Sequence, residues 1–121
     1  MSLLPSILAQ QQHPDTGQVV LELDIPLSLP HFAGHFPGYP ILPGIVQLDW
    51  AIAFGREFFQ FPGMFQAVER LKFNAPVLPD CRLILTLDYA FGKDGNSTLL
   101  FSYQKEQQAV SSGRVVFGAA A

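Results

Sequence analysis

The residues best suited to moving a proton lie in the run HFAGHFPGYPILPGIVQLD, positions 31 to 49. His35 stands in Gly34-His35-Phe36-Pro37-Gly38, where glycine and proline restrict the backbone and would hold the imidazole in place. A histidine held near an acid suits general-base chemistry, since imidazole titrates close to neutral pH. Asp49 is the acid in the first half of a run, 44 to 59, that is otherwise nearly free of polar groups. An ionised carboxylate in apolar surroundings costs several kcal/mol unless it is paired or protonated. Two readings of Asp49 stand open. It either caps a backbone group or pairs with a distant arginine, or it is held there to give up and take a proton.

Gly44 supplies a third component. N–H groups at a helix start are unpaired donors, and with no side chain at position 44 a ligand carbonyl can come close, as at an oxyanion site. Pro43-Gly44 reads equally as a plain turn into the helix. His31 and His35 are four residues apart, a zinc-binding spacing on a helix. Pro30, Gly34 and Pro37 oppose a helix there and no third ligand presents itself, so no metal is expected. Asp49 is five residues beyond Gly44, a rotation of about 500°, or about 140° net, on an α-helix. A single chain would struggle to aim both groups at one small substrate, whereas two chains side by side could each lend one.

The positioning elements are legible from pattern. Residues 44 to 59 form the one convincing helix, apolar in nearly every direction until Arg56 and Glu57, and such a helix belongs inside something. Gln60-Phe61-Pro62-Gly63 ends it. Strand-like runs occupy 3 to 11, 19 to 27, 65 to 74, 82 to 91, 97 to 105 and 109 to 117, separated by turn residues. The order β-β-α-β-β-β-β predicts an α+β fold in which about six antiparallel strands curl around the helix, as a single domain over 1–121. Short links favour antiparallel neighbours among the last four strands, and the last edge is expected to pair with a second copy.

Composition agrees with an assembly. Apolar residues make up 49 % and charged residues only 14 %, against roughly 25 % charged in ordinary domains. Apolar surface is therefore expected to be hidden against another subunit. The net charge of -3, with seven basic residues scattered along the chain, gives no nucleic-acid footprint. The one cysteine, Cys81, excludes an internal disulfide and suits a reducing compartment. The start MSLLPSILAQQQ lacks a basic or long apolar leader, and the helix is too short for a bilayer, so a soluble cytoplasmic protein with no membrane anchor is expected.

The run Gly34-His35-Phe36-Pro37-Gly38, Pro40-Ile41, Pro43-Gly44 and Asp49 resembles the signature of the hotdog-fold 3-hydroxyacyl-[acyl-carrier-protein] dehydratases. The later run ERLKFNAPVLPD, residues 69 to 80, resembles that family's strand after the central helix. The chain is still more similar to short dehydratase-like subunits of specialised fatty-acid and polyene pathways, some of which work with a sister subunit. The resemblance implies a long helix wrapped by an antiparallel sheet, dimers with a continuous sheet, and active sites at the interface. It implies His35 as base, Asp49 of the other chain as acid, and the Gly44 N–H as the donor to the thioester carbonyl. It further implies loss of water from a 3-hydroxyacyl thioester, linked to an acyl carrier protein or coenzyme A, to give the trans-2-enoyl product. No metal or organic cofactor is implied. Strand-like residues begin almost at once, so the family's N-terminal helix is not expected in this sequence, and Gln47 and Trp50-Ala51-Ile52-Ala53 depart from its usual run.

Phe36, Pro37, Gly38 and Tyr39 are candidate substrate contacts beside His35. Arg70, Lys72 and Arg82 are candidates for a carrier-protein patch, although as strand residues they read equally as solvated charges. A hotdog thioesterase would use the same fold and a helical acid, but generally lacks the His-Phe-Pro-Gly loop. A non-catalytic half of a heterodimer is the rival from another class, and the presence of both His35 and Asp49 argues against it.

Overall fold

Alternation in the run VVLELDI places Val19, Leu21, Leu23 and Ile25 on one face, and all four are fully buried. The same alternation buries Leu83, Leu85 and Leu87 in one strand, and Leu99, Phe101 and Tyr103 in the next. These rows make the floor on which the helix rests. A computed structural model describes residues 4–32, 40–92 and 94–119. Its elements are β1 (Ser6–Gln12), β2 (Val19–Ile25), a 3-10 turn (Pro30–Phe32), α1 (Gly44–Phe59), β3 (Phe65–Phe73), β4 (Cys81–Phe91), β5 (Ser97–Lys105) and β6 (Gln108–Phe117). Helix α1 has the bounds expected from its pattern, and the strand limits differ by a few residues at most.

The six strands form one antiparallel sheet in the order β1-β2-β4-β5-β6-β3. One expected pairing differs. β3 lies against β6 and not against β4, so the free edge beyond β6 belongs to β3 rather than to the last strand. The linker from Asn74 to Asp80 explains how. Seven extended residues reach about 23 Å, whereas three strand spacings need only about 14 Å. Pro76 and Pro79 keep it from joining a sheet, and it is tied down by Asn74 N–H to Val110 O (2.7 Å) and Asp80 N–H to Ile25 O (2.7 Å).

β3 also carries a bulge between Glu69 and Lys72, with Arg70 at φ +54°. A bulge twists an edge strand away from regular pairing. The β5–β6 hairpin turns on Glu106 and Gln107, both with positive φ, in the sense that matches strand twist. Gln60 ends α1 in the left-handed conformation, its N–H donating to Arg56 O at 2.9 Å.

The helix is not enclosed on every side. Gln47, Leu48, Trp50, Ala51, Phe54 and Gly55 are buried, most of them on the face toward the sheet, while Ile45 is 70 % exposed and Asp49 is also exposed. One sheet can cover only one side of a helix, and the remaining apolar side stays open in the single chain. Among the described residues no helix is long and apolar enough to cross a membrane.

Candidate active site

Asp49 sits on the open side of α1, in a groove of about 470 Å³ lined by His31, Ile45, Val46, Leu48, Ile52 and Phe65 as well. Ile45 and Ile52 flank it because they lie four residues before and three after, on the same helix face. Among the described residues lining the groove, His31 is the one ionisable side chain besides Asp49. No arginine or lysine among the described residues pairs with Asp49; the two ion pairs found there are Arg82–Glu22 and Arg114–Glu69. The reading of Asp49 as half of a structural ion pair therefore finds no support within those residues.

His31 lies on the 3-10 turn, its ring edge-on to Trp50 at 5.2 Å between centroids. Its Nδ1 is buried with no hydrogen-bond partner among the described residues. His35, Phe36, Pro37, Gly38 and Tyr39 lie outside the described residues.

Gly44 opens α1 with no side-chain cap from Pro43. The Pro43 carbonyl accepts from Val46 N–H (3.1 Å) and Gln47 N–H (3.3 Å), and the Gly44 N–H, a first-turn donor, finds no backbone acceptor among the described residues. Gly44 borders a second groove, of about 510 Å³, together with Leu42, Ile45, Gln47, Phe73 and Pro76. Ile45 borders both grooves and separates them. Within one chain Gly44 and Asp49 are thus not brought to a common cavity, as their spacing on the helix foretold.

The three basic candidates separate. Arg70 and Lys72 border a groove on the outer face of the sheet with Arg114, a residue not singled out from sequence. Arg82 lies on β4, three strands from β3 and so about 14 Å away. There it borders a charged depression with Glu22, Asp24, Asp80, Lys105 and Glu106. That depression is larger, about 750 Å³, but its mixed charges suit an apolar ligand less than the Asp49 groove does.

Beneath the helix start, Gln47, Tyr103 and Ser111 are buried together, a group that sequence reasoning did not assemble. Only Gln47 carried a signal, as an amide in an apolar run. Burial pushes the Tyr103 hydroxyl well above its ordinary pKa, and the nearby Asp49 charge adds to this.

One helix laid across a six-stranded antiparallel sheet in this strand order defines a hotdog fold. Residues 10–114 match the ApeI-like family, described as ApeI dehydratase. The chain belongs to that family. It is similar over 95 % of its length to a chain covered to 99 % in the dehydratase heterocomplex ApeI:P from Xenorhabdus doucetiae, with 28 % identity and a TM-score of 0.84. An uncharacterized protein from Erwinia carotovora subsp. atroseptica is 32 % identical, with a TM-score of 0.77 and coverage of 93 % and 94 % of the two chains. The 3-hydroxyacyl-[acyl-carrier-protein] dehydratase FabZ of Hydrogenobaculum sp. is 32 % identical over 75 residues, 54 % of this chain and 50 % of that protein. The chain spans about half the length of the curated relatives it matches.

Proposed function

We propose that this chain dehydrates a 3-hydroxyacyl thioester, carried on an acyl carrier protein or coenzyme A, at a site shared between two subunits. The observation that carries the proposal is the separation of Asp49 and Gly44 into two grooves that share Ile45, the Asp49 groove being the apolar one. Each groove is half of a site, and a second subunit supplies the other half. The open edge supports this: Phe65 is 49 % and Phe73 52 % exposed on β3, and the exposed Ile45 borders a groove with each of them. Unpaired strand backbone with exposed large apolar side chains is a surface for another chain to cover.

In this reading the thioester carbonyl accepts from the Gly44 N–H, which stabilises the charge that develops on oxygen as C2 loses its proton. His35 takes that proton, and Asp49 of the opposite subunit, in its acid form, gives a proton to the 3-hydroxyl. The C2–H and C3–O bonds break, C2=C3 forms and water leaves. Transfer of the proton from His35 to Asp49 through solvent restores both groups. Arg70 and Lys72 are proposed to meet an acidic carrier protein, while Arg82 stands apart from them. Phe36, Pro37, Gly38 and Tyr39 are proposed to line the acyl channel beside His35.

The partner is either a second copy or a sister subunit; the second alternative is favoured by the similarity to a chain of a heterocomplex. The test is mass spectrometry of carrier-linked 3-hydroxyacyl thioesters with wild type, His35→Ala and Asp49→Asn. Loss of water with wild type and at least about 10²-fold slower loss with each variant is expected. Release of free acid would replace the dehydratase by a hydrolase. Absence of turnover by the folded chain alone, restored by a sister subunit, would fix the heterodimer.

A further inference from the structure

Gln47 is 3 % exposed, yet it is a full hydrogen-bonding amide inside an apolar helix. A buried amide without partners costs roughly 1–3 kcal/mol, so its partners indicate what it is there to hold. Its Nε2 donates to the Leu42 carbonyl at 3.3 Å and its Oε1 accepts from Ser111 Oγ at 2.7 Å. Its main-chain carbonyl accepts from the Tyr103 hydroxyl at 2.7 Å. Its main-chain N–H donates to Pro43 O at 3.3 Å, within the very peptide unit that carries the Gly44 N–H. The neighbouring Leu42 N–H donates to Val77 O at 2.9 Å, so Leu42 is held from both ends.

We infer that Gln47 is a positioning residue for the carbonyl-binding N–H of Gly44. It clamps the Leu42-Pro43-Gly44 corner to β5 and β6 through Tyr103 and Ser111, which fixes the direction of that N–H. The amide can be oriented only one way. Leu42 O must accept, so Nε2 faces it, and Oε1 is left for the Ser111 hydroxyl. A carboxylate at 47 would place oxygen against oxygen, and an apolar residue would release the corner. The inference rests on the reading of Gly44 as the carbonyl donor.

The experiment measures the infrared C=O stretch of a bound enoyl thioester, isotopically labelled at the carbonyl, together with steady-state kinetics. Wild type, Gln47→Leu and Ser111→Ala are compared, each checked for folding by circular dichroism. Wild type should lower the stretch relative to free thioester, and Gln47→Leu should return it toward the free value. Its kcat should fall about 10²-fold, as expected when a reacting group is misplaced by about 1 Å, while KM changes less than about threefold. Ser111→Ala should move both readouts in the same direction by a smaller amount. An unshifted stretch in wild type would overturn the Gly44 reading itself. A shifted stretch in wild type that persists in folded Gln47→Leu would overturn the role of Gln47 alone. Should Gln47→Leu fail to fold, an unmoved stretch and kcat in folded Ser111→Ala would overturn it equally.

Discussion

Adding one methyl group at position 44 separates catalysis from stability. A Cβ there would lie 2.5 Å from Phe73 Cζ, 2.7 Å from Cε1 and 3.2 Å from Cε2. Carbon atoms in contact sit about 3.5–4.0 Å apart, so the ring edge must withdraw by about 1 Å. Phe73 is 52 % exposed and can turn toward water without opening a cavity. Such a turn costs about 1 kcal/mol or less, and alanine in place of glycine in a helix returns about 0.5–1 kcal/mol. Gly44→Ala should therefore change unfolding free energy by less than about 1 kcal/mol. The variant keeps the backbone N–H, so the effect on turnover comes from the methyl group, which stands in the groove beside Phe73 and holds a carbonyl off that N–H. Turnover should fall about 10²-fold, as when a reacting group is displaced by about 1 Å. Urea unfolding and single-turnover dehydration of a 3-hydroxyacyl thioester measure the two quantities on one preparation. A folded variant with turnover within about threefold of wild type refutes the role given to Gly44. A stability loss above about 2 kcal/mol refutes the reasoning about Phe73, and would mean that a covering subunit holds its ring.

Three further outcomes follow from packing and charge. Tyr103 is buried with its ionisation pushed upward, so its stabilising effect is complete below the unfolded-state pKa of about 10 and is lost as pH rises above it. Between pH 8 and pH 11 wild type should lose about 1.4 kcal/mol more than Tyr103→Phe in urea unfolding; equal losses would show that Tyr103 ionises freely in the fold. A Cβ at Gly55 would meet Leu99 Cδ2 at 2.5 Å, in a place where Leu99 is fully buried. Overpacking of about 1–3 kcal/mol, less about 1 kcal/mol of helix preference, leaves Gly55→Ala destabilised by about 1 kcal/mol, and a raised urea midpoint would contradict this. Phe65→Lys places a charge on the free edge at β3 and should shift the assembly toward single chains in light scattering, whereas an unchanged mass would locate the subunit contact elsewhere.

Periodicity alone made the framework legible. Helix α1 runs from Gly44 to Phe59, as its composition and the Gln60–Gly63 stop foretold, because an apolar run of that length has no other compact form. The partner of β3 was not legible. Local links speak for adjacency, and nothing in NAPVLPD says that it crosses to the opposite side of the sheet. The bulge at Arg70 was hidden for a related reason, since edge strands carry a weak alternation pattern. At the site, rotation along a helix sufficed to place Asp49 away from Gly44. The clamp of Gln47, Tyr103 and Ser111 was not visible, because it joins residues up to 64 positions apart. Arg70 and Arg114 meet only through the β3–β6 pairing, which was likewise unread.

The openness of α1 bears on why an acid is kept in that run at all. In the single chain Asp49 is exposed, and its carboxylate is in contact with water. Its neighbours in the groove, Ile45, Val46, Leu48, Ile52 and Phe65, are apolar, and Ile45 and Phe65 are conspicuously uncovered. A surface that needed only solubility would not surround one acid with five such side chains. Under the proposed assembly a second subunit closes over these residues, and water leaves the groove together with the acyl chain's hydration. The carboxyl then becomes strongly interacting at the moment when a hydroxyl is presented to it. In the proposed assembly one event would serve both expectations read from the sequence, a hidden apolar surface and a poised acid.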